Sequence, residues 1–101
     1  MKEMTVVKTE NGETTIRLTG EIDASNAEVF FAETMAVYGA GVNLTFDCEE
    51  LAFIDSTTLG TFVKIFKTVK AGGKQMKIVN LPQKIKKLFV ICALDTMMEI
   101  S

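Results

Sequence analysis

The 101 residues predict a single α/β domain, built on a mixed, mostly parallel sheet of four to five strands with helices mainly on one face. The N-terminal stretch holds two short strand-like runs separated by Asn11-Gly12, the dipeptide of a two-residue hairpin turn. Residues 42–48 alternate strictly, Val42, Leu44, Phe46 and Cys48 against Asn43, Thr45 and Asp47, while the stretches on either side repeat apolar residues at helical spacing. A strand between crossover helices is normally parallel, and one that is apolar on a single face has helices over that face alone. Right-handed crossovers between strands added in sequential order put every helix on the same side.

In order, Met4 to Thr9 forms a strand around Val6 and Val7, and Thr14 to Thr19 returns with Ile16 and Leu18 on one face. Gly20-Glu21-Ile22-Asp23 leaves that strand. Ala24 through Tyr38 places Ala27, Phe30, Phe31, Thr34, Met35 and Tyr38 on one helical stripe, with Asp23 or Ser25 as N-cap and Gly39 and Gly41 as the stop. After the strand at 42–48, Asp47, Glu49 and Glu50 read as a polar loop; with no histidine in the chain and no calcium-loop spacing, they do not read as metal ligands. Leu51 to Ile54 leads into a helix from Ser56 to about Ala71. Its core stripe is Leu59, Phe62, Val63, Phe66 and Val69, and Thr57, Thr58, Thr61, Ile65 and Thr68 form a further face, either a docking surface or an ordinary boundary. Ala71-Gly72-Gly73-Lys74 follows a helix and opens the strand Gln75 to Asn80, the reverse of a phosphate-binding loop. Pro82 starts a third helix, in which Ile85, Leu88, Phe89 and Cys92 are the buried stripe. The tail Met97 to Ser101 is either a short strand or frayed.

Composition excludes several classes of function. With 48% hydrophobic residues the chain suits one domain, 1–101, with one core. No apolar run reaches the roughly 18 residues that cross a bilayer. Met1-Lys2-Glu3-Met4-Thr5 lacks the apolar stretch of a secretion signal, so a cytoplasmic protein with no membrane partner is expected. Cys48 and Cys92 read as buried free thiols, and the sequon Asn43-Leu44-Thr45 falls within a strand and reads as chance. Residues 64–87 hold eight lysines and no acid. They lie at solvent-face spacing over two helices and a strand, without arginine or interleaved aromatics, so a solvated face is expected rather than direct nucleic-acid binding.

The chemistry concentrates at Phe53-Ile54-Asp55-Ser56-Thr57-Thr58-Leu59-Gly60, where an apolar strand stops at an acid followed by three hydroxyls. A hydrolase would need a base for Ser56. No histidine exists, and Asp55 or Asp23 would be a weak base, so no enzyme is expected. Two readings of Ser56 remain. It is a helix cap alone, or it is a phosphoacceptor at a helix N-terminus, where added phosphate meets free N–H groups and the positive end of the helix dipole.

This stretch resembles the Asp-Ser-(Ser/Thr)-Gly-Leu-Gly signature of the STAS domain in bacterial anti-sigma factor antagonists. The likeness extends to Gly20-Glu21-Ile22-Asp23, the glycine-lysine turn and Asn80-Leu81-Pro82. The resemblance implies phosphorylation at Ser56 by an anti-sigma factor that is also an ATP-dependent serine kinase. Unphosphorylated antagonist binds that kinase and releases a sigma factor; phosphorylation ends the binding, and a serine phosphatase restores it. Asp55 frames the implied site, Asp23 lies beside it, and Thr57, Thr58, Gly60 and Thr61 line the docking helix. Nucleotide belongs to the kinase, so no cofactor is implied for this chain. Thr58 stands where the family usually has glycine. The alternative is a STAS interaction module in another signalling or transport complex without phosphorylation.

Overall fold

The computed structural model describes residues 4–39 and 41–101; Met1-Lys2-Glu3, part of the stretch read for a leader, lies outside them. Among the described residues the elements are β1 (Met4–Glu10), β2 (Glu13–Ile22), α1 (Ala27–Tyr38), β3 (Asn43–Ile54), α2 (Ser56–Ala71), β4 (Met76–Val79), α3 (Gln83–Ile91), a 3-10 turn (Leu94–Thr96) and β5 (Glu99–Ile100). They form one sheet in the order β1-β2-β3-β4-β5. β1 and β2 are antiparallel and every later pair is parallel, the mixed α/β sheet that the sequence predicts. Asn11 (φ 53°) and Gly12 (φ 76°) both occupy the left-handed region that a two-residue hairpin turn demands.

Sequential strand order with right-handed crossovers puts the helices on one face, and the core shows it. Phe30 of α1, Phe46 of β3 and Phe62 of α2 meet edge to face, with ring centroids 5.4–5.9 Å apart, and Phe62 touches Phe89 of α3 at 5.5 Å. All four rings are fully buried. Such ring pairs contribute roughly 0.5–1.5 kcal/mol each beyond the area they bury, so Phe62 ties three helices and the central strand together.

Two strands run longer than expected. β2 continues to Ile22 instead of ending before Gly20, and β3 passes straight through the expected polar loop at Asp47, Glu49 and Glu50. The physical reason is a pair of irregularities in the β2–β3 ladder. Arg17 pairs with Asp47 but Thr19 with Glu50, and Gly20 pairs with Leu51 but Glu21 with Phe53. Each step inserts one extra residue into β3, as a β-bulge does. The inward positions therefore change from Leu44, Phe46, Cys48 to Cys48, Leu51, Ile54. A strand whose buried residues recur every third position does not look like a strand in sequence.

Smaller corrections concern helix ends and the third helix. α1 begins at Ala27 with Asn26 at the N-cap, rather than at Ala24 under Asp23 or Ser25. Residues 23–26 are held in a turn by side chains: Asn26 Oδ1 accepts the N–H of Asp23 (2.8 Å), and Asp23 Oδ1 accepts both the N–H and the hydroxyl of Ser25 (2.9 and 2.6 Å). Such local bonds compete with helix. Pro82 is the N-cap of α3, one residue ahead of the expected place. Ile85 and Phe89 of α3 are buried, but Leu88 and Cys92 are exposed. A nine-residue helix over the short β4 and the two-residue β5 has little sheet beneath it, and its buried stripe narrows accordingly. The tail is a strand: β5 pairs with β4, and the Ser101 N–H donates to the Ile78 carbonyl (2.9 Å).

The two thiols thus differ. Burial, reinforced by the Asp47 charge, pushes the Cys48 thiol up to about 12, whereas Cys92 is exposed. Labelling with a disulfide reagent at neutral pH is expected to modify one thiol per folded chain, Cys92, and the second only on denaturation. Equal rates at both thiols in the folded protein would contradict this packing.

Candidate functional site

The site is built by strand register. β2 and β3 end with Ile22 paired to Ile54, both buried, so the chain leaves two neighbouring strands at one height and brings Asp23 and Asp55 to the same end of the sheet. The Ala24 N–H donates to Asp55 Oδ2 (3.1 Å), stitching the two loops together.

Asp55 caps α2. Its backbone is extended (φ −121°, ψ −175°), its Oδ1 accepts the N–H of Thr58 (3.0 Å), and its carbonyl accepts the N–H of Leu59 (3.2 Å). This geometry removes the cap reading of Ser56. The cap is the aspartate, so the serine is the first helical residue, exposed, and its hydroxyl has no hydrogen-bond partner among the described residues.

The Asp55 carboxyl sits below its ordinary pKa. The Thr58 N–H is the main cause, opposed by some desolvation and helped by the Ala24 N–H, the Thr58 hydroxyl and the Thr57 N–H. Donors that favour the carboxylate make it a poor proton acceptor, which argues against acid–base chemistry on Ser56. No group of three His, Cys, Asp or Glu among the described residues could hold a metal ion.

Thr58 and Thr61 do not line a docking surface. Thr58 is 0% exposed, and its hydroxyl lies within reach of the Ile22 carbonyl and of Asp55 Oδ1 (3.1 Å), two acceptors sharing one proton. Thr61 is buried and donates to the Thr57 carbonyl (3.0 Å), and Ile65 is fully buried. These residues face the sheet because the buried stripe of α2 is centred on Thr58, Phe62, Ile65 and Val69, with Leu59 and Thr61 on its flanks. Ser56, Thr57 and Gly60 remain exposed and Asp23 half-exposed. The backbone contributors, Ala24 N–H and Ile22 C=O, carry no signal of their own in a sequence.

A STAS domain model matches residues 4–101. The anti-sigma-B factor antagonist of Bacillus subtilis (strain 168) is 33% identical over 95 residues, covering 94% of this chain and 87% of that protein. This chain is a STAS domain of the anti-sigma factor antagonist family. In fold it is similar to SpoIIAA in its unphosphorylated form (TM-score 0.74, 21% identity, 97% of this chain and 86% of that one). It is equally similar to the Bacillus cell fate determinant SpoIIAA in the phosphorylated form (TM-score 0.74, 22% identity, 97% and 90%). Antagonists of this kind are regulatory binding proteins rather than enzymes. No helix among the described residues of this STAS domain is long and apolar enough to cross a membrane.

Two outcomes test the site. Thr58→Val keeps shape and removes the hydroxyl; a buried carbonyl that loses its partner costs about 1–3 kcal/mol, to be read by urea denaturation, with Thr58→Ser close to wild type. In an NMR titration the Asp55 carboxyl titrates below an ordinary aspartate, and Thr58→Val moves it partly back. Because its folded pKa is depressed, the stability it contributes is complete above the unfolded pKa of about 3.9 and disappears as pH falls through the folded value. A carboxyl titrating at or above the ordinary value would contradict the hydrogen-bond set.

Proposed function

We propose that this protein is a cytoplasmic anti-sigma factor antagonist whose binding to an anti-sigma factor serine kinase is switched off by phosphorylation of Ser56 and restored by a serine phosphatase. The observation that supports this most directly is the division of labour between Asp55 and Ser56. Capping is done by the aspartate, which leaves the serine hydroxyl exposed at the start of a rigid helix with nothing to stabilise.

Phosphorylation would add about −1.5 to −2 charges beside a carboxylate held ionised by its N–H donors. The helix dipole favours that charge, so the fold tolerates it. A partner surface shaped for a neutral serine does not, because it meets repulsion and an uncompensated desolvation cost.

Gly60 supports a docking role for the exposed strip of α2. It lies one turn beyond Ser56, exposed, and a Cβ built on it would meet nothing within 4 Å. Glycine within a helix costs roughly 1 kcal/mol relative to alanine, and no packing here requires it. Bare backbone at this point lets another chain approach closely.

With the cognate kinase, ATP and Mg²⁺, mass spectrometry is expected to find phosphate on Ser56 and none on Ser56→Ala, which still binds. Ser56→Asp is expected to weaken binding at least about 100-fold, as several kcal/mol of charge repulsion implies, without loss of thermal stability. Gly60→Ala should raise stability by roughly 1 kcal/mol while weakening kinase binding. Binding of Ser56→Asp at wild-type strength would overturn the switch.

A further inference from the structure

The outer face of α3 has no partner in the domain. Ile85 and Phe89 hold the helix to the core, while Lys84, Lys87, Leu88 and Ile91 recur at i, i+3, i+4 and i+7 along its exposed side. Ile91 is 78% exposed, the most of any large apolar side chain among the described residues, and Leu88 and Val90 of the same turn are exposed with it. A single such side chain on a surface needs no explanation. Three in one helical turn, bordered by charge, have the character of an interaction site. The bordering charge has one sign. From Ser56 to Leu94 the chain contains no Asp or Glu, and neither Lys84 nor Lys87 has a carboxylate partner among the described residues.

We propose that the outer face of α3 docks an acidic amphipathic helix of a partner protein, whose apolar stripe covers Leu88 and Ile91 and whose carboxylates meet Lys84 and Lys87. The spacing selects a helix, since i, i+3, i+4 and i+7 is the repeat at which one helix presents side chains to another. The lysines select acids, and charge-assisted contacts to carboxylates fix the register of the docked helix. A second copy of this chain is a poor occupant, because a two-fold contact through α3 sets these lysines against themselves. An anionic bilayer is a poor one too: Asp95, exposed four residues beyond Ile91, would be pressed into the same surface. The face lies on a different helix from Ser56, so this contact does not depend on the proposed phosphorylation.

The test uses the full chain, ¹⁵N-labelled, titrated with a synthetic helical peptide of Leu and Glu, about five turns long, with Leu on one stripe and kept monomeric. Saturable shifts are expected at residues 84–91, with the Ser56 to Gly60 amides unmoved and the affinity unchanged in Ser56→Asp. A Leu/Lys peptide of the same pattern should bind about tenfold more weakly. Lys84→Glu/Lys87→Glu should reverse that preference. Ile91→Ser, at an exposed position, should weaken binding of the Leu/Glu peptide about tenfold without lowering the thermal midpoint. Absence of saturation, shifts centred away from α3, or equal affinity for the two peptides would overturn the assignment. So would self-association through α3, or binding to phosphatidylserine vesicles, in place of peptide binding.

Discussion

The parallel pairing of β2 with β3 is the constraint on which the rest of the domain depends. It sets the height at which both strands end and so brings the Asp23 and Asp55 loops together, closed by the Ala24 N–H on the Asp55 carboxylate. It also fixes which residues of β3 face the helices, and therefore where the aromatic cluster forms. The two extra residues in β3 are accommodated without loss of burial, because Cys48, Leu51 and Ile54 all reach the core. A slip of one residue would turn every one of them outward.

Much of this was legible from residue pattern. The hairpin at Asn11-Gly12, the helix from Ser56 to Ala71 and the helices on one face follow from spacing and turn chemistry that act locally. The continuation of β3 through Asp47, Glu49 and Glu50 was not, since a bulged strand has no period that a sequence displays. The faces of α2 were half legible. Leu59, Phe62 and Val69 are unmistakable core residues. Thr58, Thr61 and Ile65 were misplaced, because a threonine whose hydroxyl is satisfied by a backbone carbonyl is buried as readily as an apolar residue. The buried stripe of α3 was overestimated at Leu88 and Cys92, since the amount of sheet beneath a helix is not written in the helix.

The same correction sharpens the site. Threonine in place of the glycine usual in the family first suggests a β-branched obstacle on an outer surface. In the fold it is an inner tie between the end of β2 and the cap of α2. The outer surface is left to Ser56, Thr57 and Gly60, a small strip dominated by backbone and hydroxyl groups. Such a strip offers little apolar area, so in the proposed docking role complementarity of charge and shape would provide much of the discrimination between partners. On the proposed switch, one phosphate on Ser56 would alter a large fraction of what a partner can sense.

The links among Ala24, Asp55 and Thr58 also bear on the kinetics of recognition. A segment already fixed on both sides loses little conformational entropy when another protein closes over it, whereas a loose loop would lose about 1–2 kcal/mol per residue ordered. Encounter with such a segment needs no slow rearrangement of this chain. In the proposed partner exchange the rate would be governed by how quickly each complex comes apart, and a domain with a pre-ordered contact strip is suited to answering a signal on the timescale of dissociation rather than of folding.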